Sequence, residues 1–232
     1  MSFTPKVIHS ENLAAEGARF IVEAAEAAIK SHGLFRLGLA GGGTPKAVYA
    51  ELAKTGAELP WKSIQITFGD ERCVPPDDKD SNFLMARESL LAHVPIPEGN
   101  IFRMKGELAP ADGAAEYEAR LSAVAARFGE ARYVHDLLLL GLGEDGHTAS
   151  LFPGNPSLDE TQRNVIPTIG PKPPPQRLTF TYPLINASRE VAFFTKTAGK
   201  EQVLQPVLAG DQQYPAARVR PESGKVTWFI SA

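Results

Sequence analysis

Three stretches of this sequence bring together residue types that can do chemistry. In Gly141-Leu142-Gly143-Glu144-Asp145-Gly146-His147, a carboxylate and an imidazole stand two positions apart among glycines. An imidazole takes up and returns a proton near neutral pH, and an adjacent carboxylate can orient it and stabilise its cation. Asp70-Glu71-Arg72 mixes a potential acid/base with a cation. Gly41-Gly42-Gly43-Thr44 lets an anion approach the backbone, where free N–H groups can hold it. Arg177, just after a proline run, and Lys200, after Thr197-Ala198-Gly199, could each hydrogen-bond a phosphate at about 1.5–3 kcal/mol per charged contact. Each stretch also has an inert alternative: Gly-Asp-Gly makes ordinary turns, adjacent charges make surface salt bridges, and Arg and Lys are usually solvated.

The elements around these residues decide between the two readings. Leu137 to Leu140 are all leucine, as suits a central parallel strand buried on both faces, and the glycines that follow permit tight turns. Asp145 and His147 therefore fall at a strand end, where open α/β sheets bind ligands. Phe35 to Ala40 reads as a second strand running into the triple glycine. Thr44 then reads as a helix N-cap with Pro45 at the first helical position and the helix continuing through Ala47 to Ala53. Ile64, Ile66 and Phe68 mark a third strand, which ends at Asp70, and Ser81 caps a helix through about His93. Leu13, Gly17, Phe20, Ile21, Ala24 and Ala28 recur at helical spacing up to Ser31-His32-Gly33. A further helix spans about Ala111 to Phe128, and later strands cover Leu178–Thr181, Glu190–Lys196 and Lys225–Ser231.

Strand and helix alternate through most of the chain. The expectation is one α/β domain over 1–232, a three-layer αβα Rossmann-like arrangement whose mostly parallel sheet carries helices on both faces, with room for a small extra subdomain. In such a sheet the loops that bear Gly42, Asp70 and His147 converge.

Two nucleotide motifs are excluded. The triple glycine lacks the following Gly-Lys-Ser/Thr of a P-loop. Gly141-x-Gly143-x-x-Gly146 matches the dinucleotide fingerprint literally, but Pro153, Gly154 and Pro156 deny it the long helix that must follow, and Glu144 and Asp145 would face a pyrophosphate with like charge. The 232 residues carry 24 Lys+Arg against 27 Asp+Glu, a net charge of -3, so nothing points to nucleic acid or an anionic membrane, and an anionic ligand needs a local cluster of cations. The one cysteine, Cys73, excludes an internal disulfide and fits a reducing compartment. The first apolar stretch is broken by Glu16, Glu23 and Glu26, so no secretory signal is expected, and no run reaches the roughly 18 apolar residues of a membrane span. A soluble cytoplasmic protein is the expectation.

Five motifs in register carry a resemblance. Leu39-Ala40-Gly41-Gly42-Gly43-Thr44-Pro45, Gly69-Asp70-Glu71-Arg72 with Asp80-Ser81-Asn82, the stretch Gly141 to Pro153, Pro173-Pro174-Pro175-Gln176-Arg177-Leu178-Thr179, and Gly199-Lys200 together resemble the 6-phosphogluconolactonases, within the superfamily that includes glucosamine-6-phosphate deaminase. The resemblance implies hydrolysis of 6-phosphoglucono-1,5-lactone to 6-phosphogluconate in the oxidative pentose phosphate pathway, by a monomer using no metal and no organic cofactor. His147 would act as general base, with Asp145 or Asp70 orienting it. Backbone N–H groups of the glycine turns or Arg72 would stabilise the oxyanion. Arg177, Lys200 and the Gly42-Gly43-Thr44 loop would anchor the phosphate. One position separates neighbours within the superfamily: the deaminases carry Glu-Pro where this chain has Phe152-Pro153, so a deaminase-like isomerase would lack an expected acid/base. A non-catalytic sugar-phosphate sensor is the remaining alternative, although no helix-turn-helix segment or basic patch accompanies it.

Overall fold

The structure, a computed structural model, describes residues 4–232. In chain order its elements are β1 (Lys6–His9), α1 (Leu13–His32), β2 (Phe35–Leu39), α2 (Gly43–Thr55), β3 (Ile64–Phe68), β4 (Asp70–Arg72), α3 (Asn82–Ser89), α4 (Pro110–Arg127), β5 (Leu137–Leu140), β6 (Val165–Ile169), β7 (Gln176–Phe180), α5 (Tyr182–Asn186), β8 (Val191–Lys196), α6 (Glu201–Leu208) and β9 (Val226–Ser231).

The apolar pattern of β5 explains its central place. Leu137 and Leu139 pack into one apolar cluster with side chains of α1, α2 and α3, while Leu138 and Leu140 pack into the other with α4, α5 and α6. Side chains alternate across a strand, so an all-leucine strand serves both faces at once. The six strands of this sheet run β1-β9-β8-β5-β2-β3, every pair parallel. The result is the expected αβα sandwich.

The strand order reverses at the centre. From β2 the chain crosses through α2 to β3 on one side, whereas β5 leads to β8 on the other, and β2 and β5 are themselves neighbours through Gly38 and Leu138. The loops leaving them therefore splay to opposite faces, opening a crevice beyond the carboxyl ends of the strands.

Local signals explain the helix ends. Asn12 Oδ1 accepts from the Ala15 N–H at 3.2 Å at the start of α1. At its end Gly33 takes a left-handed φ of 80° while its N–H donates to the Ile29 carbonyl. Ser81 caps α3 as expected, its hydroxyl accepting from the Leu84 N–H. That helix stops at Ser89, because Leu90 leaves helical geometry (φ -140°, ψ -61°), and the chain continues to His93 as a 3-10 turn.

The expected cap of α2 is corrected. Gly42, at φ 103°, is the N-cap, and Thr44 lies inside the first turn with no side-chain capping bond at this end. Glycine can adopt the entry angle that lets the helix begin two residues before Pro45, whose missing N–H costs nothing in a first turn.

A second, three-stranded sheet, ordered β4-β7-β6, is antiparallel and supplies the small extra element. Its strands β4 and β6 had no alternation to announce them, since β4 is all charged and β6 contains Pro167, which an edge strand tolerates. Leu178, Phe180 and Val165 join this sheet to the cluster that holds Leu138 and Leu140. Among the described residues no helix is long and apolar enough to cross a membrane.

Candidate active site

A cleft of 540 Å³ opens at the reversal point, lined by the residues that follow β2, β3, β5 and β8. Of the site residues expected from sequence, Gly42, Asp70, Arg72, Asp145, His147, Arg177 and Lys200 line it. Gly41 lines it as well, whereas Gly43 and Thr44 form the first turn of α2 and are not among its lining residues.

The glycine turn after β5 sets the imidazole. The Gly143 N–H donates to the His147 carbonyl at 2.9 Å and the Gly146 N–H to the Gly143 carbonyl at 3.0 Å, closing the loop on itself. A Cβ at Gly143 would stand 2.0 Å from His147 Nδ1, so no larger residue fits there with the ring in place. No helix follows this glycine pattern, as expected of a turn that is not a dinucleotide fingerprint; the next helical residues are a 3-10 turn at Pro156–Asp159. Just past His147, Ala149 has a left-handed φ of 48°, the sole non-glycine among the described residues to do so. Backbone strain of this kind persists only where the surroundings over-determine it.

Asp145 Oδ1 accepts two hydrogen bonds from His147, one from its N–H at 3.1 Å and one from Nδ1 at 2.6 Å. A carboxylate can only accept, so Nδ1 carries a proton, and in the neutral imidazole the lone pair is then on Nε2. Partial burial would raise the Asp145 carboxyl, but the bonds from His147 outweigh it and hold the group below the ordinary carboxylate range. The ring of Phe152 lies 4.6 Å from that of His147, tilted by 46°, and forms part of the cleft wall.

Asp70 is held elsewhere. Its Oδ2 accepts from Ser150 Oγ at 2.7 Å and its Oδ1 from Asn82 Nδ2 at 3.2 Å. Asn82 packs so closely on Gly41 that a Cβ there would lie 2.2 Å from its Oδ1, which ties the end of β2 to the end of β3. Glu71 is not a surface group: at 2% exposure its carboxylate accepts from the N–H groups of Arg72, Asn82 and Phe83 and from the Ser81 hydroxyl. It is the bolt that fixes the N-terminus of α3, and hence Asn82, against β4.

The cations come from two directions. Arg72 and Arg177 are paired in register across β4 and β7, and their guanidinium partners are backbone carbonyls, Asp80 for the first and Pro174 and Lys172 for the second. Arg72 also keeps a buried Nε without a hydrogen-bond partner. Burial first and the neighbouring Arg72 next push the Arg177 guanidinium below its ordinary value, against the opposing pull of Asp70, Glu71 and Asp80. Arg177 therefore enters from the antiparallel sheet and not from the end of a parallel strand. Lys200 enters from the end of β8, at the N-terminus of α6, with Nζ donating to Thr195 Oγ1 at 3.1 Å.

Asn82, Ser150 and Lys172 were not expected as separate participants. Asn82 and Ser150 stand inside the recognised motifs, but their bonds to Asp70 cross 12 and 80 residues. Lys172 sits in a proline-rich run that reads as a loop. Among the described residues no group of three or more His, Cys, Asp or Glu is placed to hold a metal ion.

This fold, with a carboxylate-oriented histidine and a set of cations in one cleft, has the parts of an enzyme that acts on an anionic substrate. The chain belongs to the glucosamine-6-phosphate isomerase/6-phosphogluconolactonase family, whose sequence model matches residues 9–228. It is similar to the 6-phosphogluconolactonase of Synechocystis sp., 43% identical over 88% of this chain and 84% of that one. It is also similar to the human 6-phosphogluconolactonase, 38% identical over 95% of this chain and 88% of that one. The crystal structure of 6-phosphogluconolactonase from Thermotoga maritima superposes with a TM-score of 0.88 at 28% identity, covering 99% of this chain and 100% of the other.

Proposed function

We propose that this protein hydrolyses 6-phospho-D-glucono-1,5-lactone to 6-phospho-D-gluconate. The observation that carries the reading is the 2.6 Å bond from His147 Nδ1 to Asp145, which leaves Nε2 as a base beside a cleft rich in cations. The relatives named above support the substrate. In the proposed sequence His147 Nε2 takes a proton from water as the water oxygen bonds to the lactone carbonyl carbon. The imidazolium then returns that proton to the ring oxygen as the bond from carbon to ring oxygen breaks.

The carbonyl oxygen becomes an oxyanion in between, and it needs fixed donors. The Gly143 and Gly146 N–H groups already donate within their own turn, so Arg72, whose side chain lines the cleft, is the better candidate. Arg177, Lys200 and the loop Gly41 to Thr44, through its cleft-lining Gly41 and Gly42, hold the phosphate, and Asp70, fixed by Ser150 and Asn82, lines the same cleft. Phe152 beside the imidazole argues against a deaminase-like reaction, because an apolar ring stands where that chemistry has a carboxylate. Residues 1–232 act as one domain in this reading, a monomeric cytoplasmic enzyme with no nucleic acid or membrane partner.

The test is turnover of freshly made lactone, followed by proton release. The wild-type protein accelerates ring opening well above the spontaneous rate, and His147→Ala lowers kcat by about 100- to 10,000-fold while still binding 6-phosphogluconate. A wild-type protein that binds 6-phosphogluconate without accelerating hydrolysis is a sensor and not an enzyme.

A further inference from the structure

Glu144, between the two glycines of the catalytic turn and next to Asp145, takes no part in the reaction described above. Its side chain is exposed, yet it is directed to the cations at the cleft mouth. Glu144 Oε2 pairs with Lys172 Nζ at 3.5 Å, and its Oε1 lies within 3.9 Å of where a Cβ would stand on Gly199, the residue before Lys200. Glu144, Lys172 and Lys200 all line the same cleft. The loop after β5 and the loop between β6 and β7 are thus bridged across the opening by one carboxylate.

We propose that Glu144 is an internal competitor for the phosphate end of the cleft, holding Lys172 and facing Lys200 until a phosphate displaces it. The inference rests on the phosphate-binding reading given above. An exposed pair of long side chains is weakly held, so a doubly charged phosphate can take its place at little cost. Once displaced, the carboxylate stays close to the phosphate and repels it, through water and within the roughly 8 Å screening length of physiological salt. The consequence is looser binding of substrate and product alike. Affinity that substrate and transition state share does not raise kcat, and a product that keeps the phosphate of its substrate leaves sooner when an anion waits to reclaim the lysines. Burial and the neighbouring Lys196 lower the Lys200 ammonium, and Glu144 opposes them only in part.

Glu144→Gln removes the charge and keeps the shape at an exposed position. In low-salt buffer this variant binds inorganic phosphate and 6-phosphogluconate about three- to tenfold more tightly by calorimetry, with KM falling and product inhibition strengthening in step, and the gain shrinks at high salt. Unchanged or weaker binding in Glu144→Gln overturns the competitor role. Lys200→Ala separates the two levels of inference. If Lys200→Ala weakens phosphate binding and Glu144→Gln leaves it alone, only the competitor role falls; if Lys200→Ala binds phosphate as the wild type does, the phosphate end has been misplaced and both readings fall.

Discussion

Asp145 and His147 show how two residues a short step apart acquire a chemical direction. Their spacing would allow many geometries, but Gly143 clears the space the ring needs and the turn's own hydrogen bonds fix both partners. The same contact has a pH signature. Because the folded Asp145 carboxyl lies below its ordinary value, its bond to His147 contributes stability above the unfolded value of about 3.9, and that contribution is lost as pH falls through the lower folded value. Asp145→Asn should therefore melt below the wild type at neutral pH, and the gap between the two should close in acid below about pH 4. Thermal melts across that range check the sign, and a gap that widens in acid would contradict it. At catalytic pH the same variant should retain substrate binding but lose kcat, since an amide oxygen accepts the Nδ1–H without a charge to stabilise the imidazolium.

At the scale of elements, the helices owe their limits to single residues. Gly33 ends α1 in the left-handed region with open space around its α-carbon, so Gly33→Ala meets no clash and suffers only from the backbone conformation. A loss of about 1 kcal/mol is expected, read as an unchanged denaturant slope with a lower midpoint. Helix ends of this kind were legible in sequence, as Ser81 and Gly33 show, because a cap is a local hydrogen bond. The start of α2 was not, because Thr44-Pro45 offers one acceptable start and the backbone angle at Gly42 offers an earlier one. The strands β4 and β6 were hidden for a related reason: a short charged segment and a proline-bearing one become strands only when β7 lies between them.

For the molecule as a whole, β5 is the spine. Leu139 is fully buried against the helices on one side while Leu138 and Leu140 are buried on the other, so the strand that carries the catalytic turn is also the centre of both cores. Leu139→Ala should cost about 2–5 kcal/mol of stability in chemical denaturation, with lactone turnover kept at temperatures where the variant is folded. A cost well below that would mean the layer collapses around the missing side chain.

The sequence by itself determined the alternation of strand and helix, the central place of the leucine strand and the residue types able to do chemistry, because periodicity and turn chemistry are local properties of the chain. Tertiary structure alone decided which of those residues meet. Asp145 became the partner of His147 while Asp70 was taken by Ser150 and Asn82, Arg177 came to lie beside Arg72 through strand pairing, and Glu144 turned toward Lys172. Most of those contacts join residues far apart in sequence, and their distances follow from sheet order and register, which no local pattern encodes.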